Sequence, residues 1–151
     1  MNTVETPHES NAATLAKKVV YTAKAHSTGG RDGGTSRTSD GRLEVKLSVP
    51  GKPGNGTNPE QLLAAGWSSC FLSAIAITAA KMKVTLPAEP AIDAEINLCS
   101  GAGGYYLQAR LNVSLPGLDH ETARAIVDAA HQTCPYSKAT RGNIEVALNL
   151  V

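Results

Sequence analysis

Neither sign of charge dominates this chain: 14 lysines and arginines against 13 aspartates and glutamates leave a formal net charge of +1. It therefore lacks the electrostatic footprint of a nucleic-acid binder and the polybasic patch of a membrane-surface protein, and partners of both kinds drop out. The opening MNTVETPHESNAATLAKK is polar and has no apolar stretch of the kind a secretory signal needs. This predicts a cytoplasmic protein whose thiols are kept reduced. The uncharged run from Leu62 to Ala80 nearly reaches the ~20 residues of a membrane span. However, Gly66, Ser68, Ser69, Ser73 and Thr78 interrupt it and alanine fills much of the rest, so it reads as a buried helix without membrane insertion. Internal repeats and low-complexity segments are absent, and there are only three cysteines. A chain of 151 residues can bury roughly 68–70% of its unfolded surface in one domain, so disulfide staples are not needed for stability.

Alternation and punctuation organise what is present. Residues 1 to 15 show no periodicity and read as a flexible tail, with a single domain over 16–151. Lys18 to His26 has the pattern of a strand, and the loop STGGRDGG follows, its glycines permitting backbone conformations closed to other residues. Asp40 and Gly41 signal a hairpin, after which Leu43, Val45, Leu47 and Val49 alternate with polar residues as a half-buried strand. PGKPGNG breaks that strand. A helix starts at TNPEQ, with Asn58 as N-cap, Pro59 in the first helical position and Glu60 in the first turn, where an anion is favoured. Ile92, Ala94, Ile96 and Leu98 face one way, and after GAGG so do Leu107, Ala109, Leu111, Val113 and Leu115. Asp119 caps a second helix whose apolar positions Ala123, Ile126, Val127, Ala130 and Cys134 step by three and four. Pro135 then places Cys134 at the helix end, and Ile144 to Leu150 alternates as a final strand. The fold class is α+β, with strands running antiparallel through hairpins.

Cys70 and Cys134 lie 64 positions apart, both in apolar surroundings. In a reduced compartment the pair points to transient redox chemistry, although two buried cysteines also read as inert small hydrophobes. They are not equivalent. Cys134 meets the negative end of its helix dipole, which disfavours a thiolate, so Cys70 is the better nucleophile. Cys70 nevertheless sits about three turns into its helix, and burial raises a thiol pKa, so a cation must be supplied from elsewhere. Arg31, between glycines, is the candidate, and Glu60 could hold its guanidinium in a fork. Taken alone, Arg31 in a glycine loop is more often a solvated turn residue, and Glu60 in a first helical turn more often a simple dipole partner. Cys99 falls on a polar strand face and reads as a spectator. HQTC offers His131 and Cys134 as a metal pair or a Cys/His dyad, but there is no second paired motif at zinc spacing. GNGTNP lacks the third glycine and the lysine of a phosphate-cradling loop.

STGGRDG, SDGRLEVKLS, TNPEQLLAAGWSSCFLSA and CPYSKATRGNI, in that order, resemble the organic hydroperoxide resistance proteins of the osmotically inducible protein C superfamily. The resemblance covers about Leu15 to the C-terminus. The chain departs from it in an extra N-terminal tail, a shortened glycine segment before Thr57, Trp67 where tyrosine is common, and the added Cys99. The resemblance implies a cysteine-based peroxidase without haem, metal or other cofactor. Cys70 would become a sulfenic acid, Cys134 would condense with it to a disulfide, and Arg31 with Glu60 would activate Cys70. It also implies an intertwined homodimer with sheets around central helices, an organic hydroperoxide as substrate, and a dithiol reductant drawn from lipoylated proteins. A sister subgroup with broader hydrogen peroxide use and a non-enzymatic redox-sensing dimer are the alternative functions.

Overall fold

The computed structural model describes residues 17–151, so the expected tail over 1–15 lies outside the described residues. Three short strands open it, β1 (Ala25–Thr28), β2 (Thr35–Thr38) and β3 (Glu44–Lys46), forming an antiparallel sheet in the order β1-β2-β3. The Asp40-Gly41 hairpin forms as the sequence indicates. The Asp40 carboxylate accepts from Thr38 Oγ1 at 2.7 Å and from the Arg42 amide at 3.1 Å, and Gly41 takes a φ of +73° that other residues rarely adopt.

Both strands expected around this hairpin are shorter than their alternation suggests. β1 begins only at Ala25, because β2 ends at Thr38 opposite it and leaves Lys18–Lys24 outside the ladder among the described residues. Val19, Val20 and Tyr21 are consequently exposed. In the same way β3 stops at Lys46, opposite the first residue of β2. Leu47 then turns to an isolated bridge with Thr57, which carries the chain toward the first helix.

Helix α1 (Pro59–Lys81) starts as its caps predict: the Asn58 side chain accepts from the Gln61 amide, Pro59 opens the helix and Glu60 lies in the first turn. It ends in a Schellman closure. Lys83 adopts φ +57°, its amide bonds the Ala80 carbonyl at 3.1 Å, and the Val84 amide reaches back to Ala79 at 2.9 Å. Trp67, Phe71, Ala74, Ile75, Thr78 and Ala79 are its buried residues. By length and composition α1 is apolar enough to cross a membrane, but here it lies against β4 and against both helices that follow.

The second sheet explains where those contacts come from. β4 (Ala91–Gly101) and β5 (Gly104–Ser114) form a long antiparallel hairpin, and β6 (Glu145–Leu150) adds to β5 in the order β4-β5-β6. Leu111 and Val113 are wholly buried, with Ala109 and Leu115 nearly so, whereas Leu98 at the hairpin end is half exposed. β6 runs parallel to β5. This departs from an all-hairpin sheet, because the chain returns through a helical crossover rather than a tight turn. That crossover is α2 (His120–Thr133), capped by Asp119 on the Thr122 amide at 2.9 Å, followed directly by α3 (Pro135–Thr140). The predicted stripe of α2 is buried at every position, Ala123, Ile126, Val127, Ala130 and Cys134. These residues meet α1 and the inner face of the second sheet in one core.

Candidate active site

Two elements carry the cysteines toward each other. α1 presents Cys70 on a partly buried flank, and α2 delivers Cys134, wholly buried, at its C-terminal end. The sulfurs are 3.6 Å apart, with the Cys134 thiol donating to Cys70; both are free thiols in contact and unbonded. Cys134 (φ −61°, ψ 124°) is the C-cap of α2 and the N-cap of α3 at once, with Pro135 in the first position of α3. The backbone makes an elbow at this cysteine, and the elbow points its side chain at α1.

Burial pushes the Cys70 thiol above its ordinary range, and the neighbouring Cys134 adds to that rise. The backbone N–H of Tyr136, in the first turn of α3, pulls the other way. No arginine or lysine acts on Cys70 within the described chain. Among the described residues, the cation that the sequence reading calls for does not reach Cys70.

Arg31 is found on Glu60 instead. Its Nη2 donates to Glu60 Oε2 at 2.5 Å, a single contact rather than a two-pronged fork, with the carboxylate largely buried. This hydrogen bond holds the Glu60 carboxyl below the ordinary carboxylate range and raises Arg31. The glycine loop makes the approach possible: the Gly34 amide bonds the Gly30 carbonyl at 2.9 Å, and a Cβ on Gly34 would lie 2.0 Å from the Thr28 carbonyl oxygen. Gly34→Ala is expected to open the loop, release Arg31 from Glu60 and lower stability by about 1–3 kcal/mol. Thermal unfolding checks this, and an unchanged midpoint would show that the loop accommodates a side chain. Glu60 and Cys70 are ten positions apart on one helix, about 15 Å along its axis. The chain thus assembles two pairs, Arg31 with Glu60 and Cys134 with Cys70, and keeps the pairs apart.

Two residues at the elbow, Ser137 and Tyr136, were not singled out as site residues by sequence reasoning. Ser137, fully buried, takes a hydrogen bond from Trp67 Nε1 at 3.4 Å and shares one with His131 Nδ1 at 3.0 Å. His131 is accordingly engaged by a serine rather than forming a dyad with Cys134. The available signal was the compact run HQTCPYS, in which polar residues flank a buried cysteine. Trp67 and Phe71 have no exposed surface and stand behind Cys70 in the core. Tyr136, partly exposed, packs its hydroxyl over Gly66, where an added Cβ would lie 3.1 Å from it. Cys99 lies away from this centre on β4 and donates weakly to Gln108 Oε1 at 3.5 Å.

The site thus sets a helix-borne thiol in contact with a second thiol on a buried elbow, within an α+β fold of two small sheets packed with helices. The family profile described as OsmC-like protein matches residues 51–149. The organic hydroperoxide resistance protein of Xanthomonas axonopodis pv. citri is 47% identical over 138 residues, which cover 89% of this chain and 96% of that protein. Organic hydroperoxide resistance protein OhrB of Bacillus subtilis is 40% identical over 87% of this chain and 98% of its own length. The crystal structure of OhrB superposes with a TM-score of 0.83 at 38% identity, over 88% of this chain and 100% of that one. An organic hydroperoxide resistance protein from Legionella pneumophila gives 0.82 at 40% identity, over 88% and 98%. The chain belongs to the OsmC-like family, on its organic hydroperoxide resistance branch.

Proposed function

We propose that the protein is a thiol-dependent peroxidase that reduces organic hydroperoxides to alcohols in the cytoplasm. The observation that carries this reading is the 3.6 Å contact between Cys70 and Cys134. The Cys70 thiolate attacks the terminal oxygen of the hydroperoxide and breaks the O–O bond. The alkoxide leaves, takes a proton and departs as the alcohol, and Cys70 becomes a sulfenic acid. Cys134 then attacks the Cys70 sulfur. An S–S bond forms as the S–O bond breaks, and the hydroxide leaves as water with the proton of Cys134. A dithiol, in this reading a lipoyl group on a partner protein, reduces the disulfide and completes the cycle. The steps need only thiols and peroxide, so no metal or organic cofactor is invoked.

The active unit in this reading is a homodimer. α1 is apolar around its circumference, yet Ala65, Ser69, Ala76 and Ile77 are left exposed in the single chain, and an all-round apolar helix needs cover on every side. A second copy supplies that cover, and it brings the Arg31–Glu60 pair of one subunit to Cys70 of the other.

Substrate choice follows from the apolar surroundings. Tyr136, whose ring lies over Gly66 beside the cysteine pair, offers an alkyl group a surface that hydrogen peroxide cannot use. Each CH₂ group buried there contributes about 0.8 kcal/mol. Four such groups favour the organic substrate by about two hundredfold. Steady-state consumption with a dithiol present should show this excess of kcat/KM for cumene hydroperoxide over hydrogen peroxide. Equal specificity constants would remove the substrate assignment, and no consumption of either would remove the enzyme.

A further inference from the structure

Behind the cysteine pair lies a buried polar node that the peroxidase cycle as written does not use. Ser137 Oγ joins all three helices: it accepts from Trp67 Nε1 of α1, it bonds His131 Nδ1 of α2, and it belongs to α3. The Arg141 guanidinium donates to the His131 carbonyl and ties the end of α3 to the same turn of α2. Between these two fastenings stands Cys134, three residues from both His131 and Ser137.

The donor count fixes how the node must be wired. Trp67 Nε1 can only donate, so the Ser137 oxygen accepts from it. The hydroxyl proton of Ser137, fully buried, then has His131 Nδ1 as its acceptor. Nδ1 must be bare, with the imidazole neutral and its proton on Nε2. A protonated ring would donate from Nδ1 as well and strand the serine proton in the interior.

We propose that His131, acting through Ser137, is a positioning residue that holds the Cys134 elbow for attack on the Cys70 sulfur. Peroxide attack by Cys70 does not depend on it; the closing step does. The groups facing the ring agree with a neutral imidazole. Burial is the main cause that lowers its pKa, the Arg141 cation lowers it further and Asp128 opposes them, while the side facing α1 meets the Phe71 ring at 6.2 Å between centroids. Acidification through the imidazole transition therefore loosens the elbow.

This inference deepens the resolving step and rests on that reading of Cys134, so its test avoids peroxide. In a Cys99→Ser background, Cys70 is converted to a mixed disulfide with dipyridyl disulfide, which releases a first thiopyridone. Attack by Cys134 then forms the Cys70–Cys134 bond, breaks the bond to the pyridyl sulfur and releases a second thiopyridone. His131→Leu should slow the second release about tenfold and leave the first unchanged, as expected for loss of one buried hydrogen bond. His131→Asn, whose side-chain oxygen can accept from Ser137 at nearly the Nδ1 position, should recover most of the rate. Should His131→Leu fail to fold, the ratio of wild-type to His131→Asn closing rates decides, and it should fall as pH is lowered through the imidazole range. A second release unchanged in folded His131→Leu, equal slowing of both releases, or a pH-independent ratio would each overturn the inference. Failure of the peroxidase reading would show separately, as absence of peroxide consumption with the second release intact.

Discussion

Cys70→Ser is expected to abolish peroxide reduction, whereas Cys134→Ser is expected to consume about one equivalent of peroxide per chain and then stall. The asymmetry follows from position. Cys70 lies on a partly buried flank of α1 and is the sulfur that a substrate can reach, while Cys134 has no exposed surface and touches Cys70 from within. Without Cys134 the sulfenic acid on Cys70 has no thiol to condense with and should be trapped by a dione reagent. Dithiol-driven turnover should be lost. Mass spectrometry of oxidised wild type should find Cys70 linked to Cys134 within one chain, because the two sulfurs already touch, and Cys99→Ser should change little. A sulfenic acid trapped at Cys134 in Cys70→Ser at a comparable rate would reverse the assignment. A disulfide through Cys99 would show that β4 takes part in the chemistry.

Local rules made some of this legible in the sequence, and tertiary packing decided the rest. The caps Asn58 and Asp119 were readable because each rests on one side chain and one amide three residues on. The α2 stripe was readable because one helical period decides it. The Arg31–Glu60 pair emerged from the glycine loop and the first turn of a helix, both local signals, but the single-pronged contact did not. α3 is not legible in the sequence because Pro135 reads as a stop, whereas a proline in the first position opens a helix as readily as it ends one. The parallel placement of β6 has no local signature, since β5 and a crossover decide it. Ser137 was invisible for a similar reason: a serine two residues past a proline shows no periodicity, and its partners lie 6 and 70 positions away. β1 is shorter than its alternation suggests because β2 ends opposite Ala25, and the length of a neighbouring strand has no signature in the strand's own sequence.

Arg31→Ala is expected to slow peroxide attack at neutral pH by about tenfold or more, since loss of a nearby cation raises a thiol pKa by one unit or more. The more telling experiment asks whose Cys70 it activates. Glu60 and Cys70 are about 15 Å apart along one α1, too far for a guanidinium seated on Glu60 to touch the sulfur of its own chain. Two α1 helices packed antiparallel about a two-fold axis remove that distance. For Glu60 of one to lie across from Cys70 of the other, the axis must pass near Ala65, midway between them, and Ala65 and Ser69 are small and exposed there. Arg31→Ala and Cys70→Ser chains, co-expressed with different tags and purified as the mixed dimer, then contain one site with both Cys70 and a partner Arg31, and one site with neither. Such a dimer should show about half the wild-type rate, although each parent homodimer is impaired or dead. Activity no higher than half that of the Arg31→Ala homodimer would mean that each subunit activates its own cysteine and that the Arg31 loop moves to reach it.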